Sequence, residues 1–303
     1  MKVLIGVDGS QGAFRAVKQA GRYLQAPRDC VVLYCSPPEV RGGAEDSMRE
    51  KARQAIARAV FDEARANLPE ALRGGVVEIV GTQNPGHGLV VAAEECRADI
   101  IAVGARGLGP LAAMLVGSVS REVVYGAKLP VMVVREGPFG EDGVLRVLAA
   151  YDGSNACRQA LEAATRFAWP DSTQAVLLSV IEPMLAAELP DWLEQRVSRD
   201  PETEAMAQSW EREHKRERQQ RQDELATLAR QLPPPFRDAK TIVVEGNADE
   251  QILAACTAER ADVVVVGARS QGKLERLLTG STTERILAHA PCSVLVARER
   301  EKP

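Results

Sequence analysis

The chain has 303 residues, of which 45% are hydrophobic, 26% charged and only 4% aromatic, and its formal net charge is −4 at pH 7. This length suits two domains of about 150 residues, and so few aromatic residues favour buried aliphatic strands between helices over an aromatic-rich β-sandwich. The chain lacks the basic excess of a nucleic-acid-binding surface, so nucleic acid is not expected as a partner. Without a long apolar run, a signal peptide or a CxxC motif, the chain is expected to be cytoplasmic and free of membranes.

Short, β-branched apolar runs in the first half predict five buried strands separated by helices. The strands are expected at Lys2–Val7, Cys30–Cys35, Val76–Val80, Ile100–Val103 and Val131–Val134. The helices are expected at about residues 11–24, 44–68, 86–96 and 114–127. Because parallel strands need crossover helices between them, this alternation predicts an α/β, doubly wound parallel sheet with right-handed connections.

The second half repeats the order of the first. The first strand and its turn, VLIGVDGS at 3–10, return as VLAAYDGS at 147–154. The fourth strand, ADIIAVGAR at 98–106, returns as ADVVVVGAR at 261–269. The chain is therefore an internal duplication.

The duplication sets the predicted domains at residues 1–137 and 144–303, with a Gly/Pro-rich linker at 138–143. The second half is longer between its first and fourth strands, where a charged helix is expected at about 201–231. Its mixture of acids and bases is typical of a solvated helix with local ion pairs, although a protein-docking helix is the open alternative.

Three segments of the first half meet at one edge of the predicted sheet. Residues 8–10 (Asp-Gly-Ser) follow the first strand, Cys35 ends the second, and residues 104–107 (Gly-Ala-Arg-Gly) follow the fourth and lead to Gly117-Ser118 at a helix start. Ligands of doubly wound sheets bind at this edge, near the switch in strand order. Bare glycine backbone and free N–H groups at a helix start can hold phosphate oxygens. Ser118 can also cap the helix, so a capping role alone is the open alternative for Gly117-Ser118.

The Asp-Gly-Ser turn, the G-x2-G-x9-G-S spacing of residues 104–118 and the Pro-Val-x-Val-Val last strand together resemble the universal stress protein family. The ordered set occurs in both halves and covers nearly all of the chain. The resemblance implies two tandem five-stranded sheets of that family, with the halves paired through their last strands as a pseudo-symmetric dimer. A further homodimer and an unidentified protein partner stay open.

In the ATP-binding branch of that family, the motif glycines and hydroxyl residues hold the phosphates, the Asp after the first strand lies beside the nucleotide, and the residue ending the second strand contacts adenine. The resemblance therefore implies ATP, or AMP or ADP, with Mg²⁺ accompanying the nucleotide. The candidate binding residues of the first half are Asp8, Gly9, Cys35, Gly104, Arg106, Gly107, Gly117, Ser118, Val119 and Ser120. Those of the second half are Asp152, Val180, Gly267, Ser270, Gly280 and Ser281.

The second motif departs from the family pattern at one place. Ser270 stands where the second glycine is expected, which predicts a weaker or modified second site. Other roles are open for several candidates. Asp8 and Asp152 can cap the first helices of their halves, Arg106 can be solvated, and Cys35 can be a packing residue.

No motif of a catalytic site is present. The sequence lacks a Ser/His/Asp series, paired carboxylates, an HExxH zinc motif and a Walker motif. The protein is therefore expected not to be an enzyme, with at most slow hydrolysis of bound ATP. The predicted function is a nucleotide-binding stress-response or signalling module, and the alternative is a scaffold that binds no nucleotide and recruits proteins through its charged helix.

Overall fold

The computed structural model describes residues 1–39, 46–81, 84–105, 116–136, 143–181, 201–268 and 281–298. Strands and helices alternate through the first half. In chain order they are β1 (Lys2–Gly6), α1 (Gln11–Arg22), β2 (Cys30–Cys35), α2 (Asp46–Ala66), α3 (Glu70–Arg73), β3 (Val77–Val80), α4 (Pro85–Glu95), β4 (Ile100–Gly104), α5 (Ser118–Gly126) and β5 (Val131–Val134).

The second half repeats this order with a longer helix after its second strand. Its elements are β6 (Arg146–Ala150), α6 (Asn155–Thr165), β7 (Gln174–Ile181), α7 (Pro201–Gln231), a 3-10 turn (Phe236–Asp238), β8 (Lys240–Glu245), α8 (Ala248–Ala258), β9 (Val263–Ala268), α9 (Ser281–His289) and β10 (Ser293–Arg298). The helix expected at 201–231 therefore has the predicted bounds. The helix expected at 44–68 ends earlier, and Pro69 separates it from the short α3.

The two predicted five-stranded sheets are the halves of one ten-stranded sheet with the order β3-β2-β1-β4-β5-β10-β9-β6-β7-β8. Within each half all neighbouring strands run parallel. The halves join where Val131–Val133 of β5 pair antiparallel with Val294–Val296 of β10. The predicted doubly wound fold and the pairing through the last strands are thus confirmed.

Both faces of the sheet are covered by helices, which explains why the strands are apolar without alternation. Side chains of β1 alternate between the two cores: Val3 and Ile5 pack on the α1 and α2 side, and Leu4 packs on the α4 and α5 side. All three are at most 1% exposed. The carboxyl ends of the parallel strands are therefore the places where polar side chains of both layers can converge.

An aromatic cluster joins the halves at the amino-terminal side of the strands. The ring of Tyr23, after α1, lies 5.7 Å from that of Phe167 and 4.7 Å from that of Trp169, both after α6. The backbone N–H of Ala168 donates to the carbonyl of Tyr23 at 2.9 Å. Burial raises the pKa of the Tyr23 hydroxyl to about 12, so this cluster stays neutral and holds the halves together by packing.

Two arginines at equivalent positions hold the helices of the opposite half. The Arg298 guanidinium, at the end of β10, donates to the carbonyl of Tyr125 in the last turn of α5 at 2.7 Å. The Arg135 guanidinium, just after β5, donates to the carbonyls of Leu287 and Ala288 in the last turn of α9. A cation at a helix carboxyl end is favoured by the helix dipole, so each half stabilises a helix of the other.

An ion pair between the halves provides a pH test of this junction. Asp99 accepts at 2.7 Å from the Lys2 backbone N–H and from the Arg166 guanidinium of the second half. Burial alone would raise the pKa of Asp99, but these two hydrogen bonds and the Arg166 charge outweigh it and lower the pKa. Because the lowered pKa belongs to the folded state, the contribution to stability is present above the ordinary carboxyl pKa and is lost as pH falls through the lowered value.

We expect Asp99→Asn to lower the free energy of unfolding by roughly 1 kcal/mol at pH 7, since the pair is partly exposed and screened. The difference from the wild type should shrink as the pH is lowered below about 4. Denaturant unfolding of both proteins between pH 7 and pH 3 measures this, and Arg166→Gln separates the contribution of the guanidinium. A difference that stays constant over that range would contradict the assignment.

Candidate functional site

The strand order reverses between β1 and β4, and this switch point is where a doubly wound sheet has its crevice. Three of the predicted segments lie beside it. Residues 8–10 follow β1, Gly104 ends β4, and Gly117 is brought back to the same edge by a 2.7 Å hydrogen bond from its N–H to the carbonyl of Ala105. The Ser120 hydroxyl donates to the carbonyl of Gly104 at 2.6 Å and fixes the first turn of α5 on the end of β4.

The Asp-Gly-Ser turn after β1 leads directly into α1. Asp8 accepts from the Ser10 N–H at 3.0 Å, Gly9 adopts a left-handed φ of +85°, and the Ser10 hydroxyl accepts from the Ala13 N–H. Ser10 is therefore the cap of α1, and the exposed Asp8 carboxylate orders the turn.

The second half repeats this turn: Asp152 accepts from the Ser154 N–H at 2.8 Å, and Ser154 caps α6. The helix caps are thus serines in both halves. The Asp8 and Asp152 carboxylates take part in the Asp-Gly-Ser turns that begin these helices, in keeping with the structural role that the sequence left open.

The first motif glycine of each half lies against a helix. A Cβ on Gly104 would lie 2.5 Å from the carbonyl carbon of Gly12 and 3.0 Å from the nitrogen of Ala13, both at the start of α1. A Cβ on Gly267 would lie 2.4 Å from the nitrogen of Cys157 in α6. Close helix packing therefore accounts for the absence of a side chain at Gly104 and Gly267, and phosphate contact by them stays a prediction.

The start of α5 differs from the predicted geometry. Gly117 occupies the N-cap position with φ −67° and ψ 156°, and Ser118 is the first helical residue, so the prediction that Ser118 caps the helix is wrong. Among the residues that the structure describes, no side chain caps α5, whereas Ser10 caps α1. Ser118 is exposed and Val119 is half-buried, so the first turn of α5 reaches the surface.

The two halves share the anchoring of this helix. In the second half, the Thr283 hydroxyl donates to the carbonyl of Gly267 at 3.2 Å, as Ser120 does to Gly104. Ser120 is thus occupied as a structural anchor. The predicted candidates Arg106, Gly107, Ser270 and Gly280 lie outside the described residues, as does the side chain of Ser281, whose backbone begins α9.

Cys35, at the end of β2, is only 1% exposed. Burial, with a further contribution from the nearby Asp8 carboxylate and against the opposing Arg53 guanidinium, raises the pKa of its thiol to about 11. The neutral thiol packs in the core on the α1 and α2 side. Its side chain therefore fits the packing role that the sequence left open, while the backbone at this strand end still borders the crevice.

The register of the second half corrects one candidate. Ile5 pairs with Leu33 and Ala149 with Leu177, so the residue level with Cys35 is Ser179. The Val180 side chain packs against the core on the opposite face of the sheet. Val180 is therefore not level with Cys35. Ser179 takes that position; it is 1% exposed, and its hydroxyl has no hydrogen-bond partner among the described residues.

Arg53 of α2 is a site residue that the sequence did not identify. Its guanidinium donates at 3.0 Å to the carbonyl of Pro37 and at 2.9 Å to that of Gly81, and its side chain is 14% exposed. It thereby ties together the segments that leave β2 and β3 at the edge of the crevice. In the sequence it is one of several arginines on an ordinary charged helix, and nothing marks it out.

Two further features of the described residues concern metal ligands and membrane-spanning helices. Within the described ranges, no group of three or more histidine, cysteine, aspartate or glutamate residues could hold a metal ion. None of the helices in the same ranges is long and apolar enough to cross a membrane.

Comparison with known proteins agrees with the duplicated fold. The model of the universal stress protein family matches residues 1–135 and 144–298. A universal stress protein of Mycobacterium tuberculosis is 26% identical over 311 residues, which cover 98% of this chain and 96% of the relative. Another, from Thermus aquaticus, is 29% identical over 153 residues, which cover 50% of this chain and 97% of the relative.

A solved structure shows the same architecture over the full length. The crystal structure of a universal stress protein from Archaeoglobus fulgidus superposes with a TM-score of 0.65 at 19% identity and covers 98% of both chains. This likeness concerns the fold.

Proposed function

Because the chain belongs to the universal stress protein family, we propose that its first half binds an adenine nucleotide of the ATP type with Mg²⁺ and that the protein is a nucleotide-responsive stress-response or signalling module of the cytoplasm. The second half, with Ser270 in its motif, binds nucleotide more weakly or not at all. No catalytic step is part of the proposal, since the described part of the site presents no general base beside the start of α5.

The observation that carries the proposal is the start of α5 at the switch point. The first N–H groups of an α-helix have no partner within the helix, and here no side chain of the described residues caps them. They lie at the positive end of the helix dipole, which favours phosphate. Each hydrogen bond to a charged oxygen contributes about 1.5–3 kcal/mol, so a few of them support micromolar affinity.

The other candidates take complementary parts in the proposal. The exposed Asp8 carboxylate, beside the crevice, is suited to a ribose hydroxyl or to Mg²⁺, which is usually held by phosphates, water and only one or two carboxylates. The base would lie on the backbone at the end of β2, which Arg53 holds through Pro37. The buried Cys35 thiol would support this surface from below.

A scaffold that binds no nucleotide is the second candidate, favoured by one observation. The long helix α7 exposes charged side chains and carries local ion pairs such as Lys215–Glu211 at 2.8 Å and Arg221–Glu224 at 3.2 Å. Such surface pairs add little stability, so this helix is also suited to contact a charged protein surface.

Calorimetric titration of the purified full chain with Mg-ATP distinguishes the two functions. We expect one high-affinity site per chain with a micromolar dissociation constant, and Asp8→Ala should weaken it about tenfold or more. Chromatography of an acid extract should reveal nucleotide that copurifies. If the native chain releases no nucleotide and gives no heat with Mg-ATP, the nucleotide function fails and the scaffold remains.

A further inference from the structure

A second cleft lies in the other half of the molecule, between α6 and the long helix α7. Its volume is about 760 Å³, within the range of small-molecule sites. Tyr151 and Gly153 line it at the end of β6, Arg158 lines it from α6, and Arg216 and Gln220 line it from α7. No described residue of β9 or α9 contributes to its lining, and neither does any described residue of the first half.

Two arginines, Arg158 and Arg216, and two acidic residues, Asp223 and Glu224, line the cleft, and they differ in their partners. Glu224, which lines it, is paired with Arg221 at 3.2 Å and accepts from Gln220, and Asp223 accepts from Gln219. Arg158 and Arg216 line the same cleft, and no described acidic side chain lies within ion-pair distance of either of them.

The first half has an apolar residue where the second half has Arg158. Asp8 corresponds to Asp152, and the same offset of 144 residues places Phe14 where the second half has Arg158. Phe14 packs against the core on the α1 and α2 side. Val60 of α2 lies against the turn at Gly9: its Cγ2 is 3.4 Å from the position that a Cβ on Gly9 would take. In the second half the corresponding neighbour is the long Arg221 side chain, whose Nη1 lies 3.5 Å from the position that a Cβ on Gly153 would take.

We propose that the cleft between α6 and α7 binds a small, multiply charged anion of the phosphate class. Two arginines on different helices line one cleft, and planar guanidinium is suited to bidentate bonding of phosphate oxygens. The neighbouring Gln220 amide and Tyr151 add polar atoms to the wall. This site is independent of the nucleotide site proposed for the first half.

The test titrates the full chain with pyrophosphate at low salt by calorimetry, and then with ATP. In a Gly117→Asp background, which removes the proposed first site, we expect the remaining pyrophosphate binding to fall about five- to tenfold with Arg158→Gln and again with Arg216→Gln. Arg230→Gln, on the same helix but outside the cleft, should leave it unchanged. Circular dichroism confirms that each variant is folded.

The outcomes separate this inference from the proposed function. If Gly117→Asp alone abolishes all binding, the cleft is not an anion site and the nucleotide proposal survives. If the double Arg158→Gln, Arg216→Gln variant alone abolishes it, the cleft is the site and the nucleotide proposal fails. Binding that no variant reduces, or no binding by the wild type, overturns the inference. Tighter binding of ATP than of pyrophosphate in the Gly117→Asp background would assign the ligand as an organic phosphate.

Discussion

A Gly117→Asp variant is expected to lose its affinity for Mg-ATP by more than about 100-fold, equivalent to about 2.7 kcal/mol, while unfolding at the same or a slightly higher temperature. The substitution is expected to weaken binding and to preserve or raise stability because Gly117 is the N-cap of α5. Aspartate is among the best N-cap residues and suits the helix dipole, so it adds a few tenths to about 1 kcal/mol to stability. The φ and ψ of Gly117 are accessible to any residue. The same carboxylate would occupy the space that a phosphate needs, and its negative charge would repel the phosphate.

Gly117→Asn is the matched control for charge. Asparagine caps a helix about as well as aspartate, so it should stabilise α5 similarly but weaken ATP binding less. Calorimetry gives the affinities and thermal unfolding gives the stabilities. If aspartate leaves the affinity for Mg-ATP at the wild-type value, the start of α5 does not hold phosphate.

A Gly104→Ala variant is expected to lower the free energy of unfolding by about 3 kcal/mol, at the upper end of the cost of overpacking. The new Cβ would lie 2.5 Å from the carbonyl carbon and 2.6 Å from the carbonyl oxygen of Gly12. These are backbone atoms, which cannot rotate away as a side chain can. The start of α1 must therefore shift from the end of β4, and the whole core on that face follows.

Gly75→Ala provides the control for this substitution, because a Cβ there meets nothing within 4 Å. It should change the free energy of unfolding by less than about 0.5 kcal/mol. Gly267→Ala should behave like Gly104→Ala, since its Cβ would lie 2.4 Å from the backbone nitrogen of Cys157. Denaturant unfolding measures all three. A neutral Gly104→Ala would mean that the motif glycine is kept for a ligand alone.

The duplicated α/β fold could be predicted because its signals are local and repeated. Buried parallel strands are short β-branched runs, and the same runs recur after the offset of Asp8 to Asp152. The pairing of β5 with β10 could be predicted only from the family resemblance. The sequence of an edge strand does not by itself indicate which strand it pairs with.

The details of the site could be predicted less well, for identifiable reasons. Serine is the better cap on propensity alone, but the hydrogen bond from Gly117 to Ala105 sets where α5 begins. The sequence singles out Gly104 as a motif glycine. Only the structure shows that its missing side chain makes room for the backbone of α1. Ser179, not Val180, is level with Cys35, and this could not be predicted because the register of β7 depends on its pairing with β6.

The antiparallel contact between β5 and β10 has a consequence for the evolution of the molecule. Two identical subunits that meet in this way must use one surface that is complementary to itself, so every substitution appears twice. Here the partners are joined in one chain, and they stay together at any dilution because their association is intramolecular. Each half is free to change alone, as Phe14 and Arg158 illustrate at the same position of the repeat.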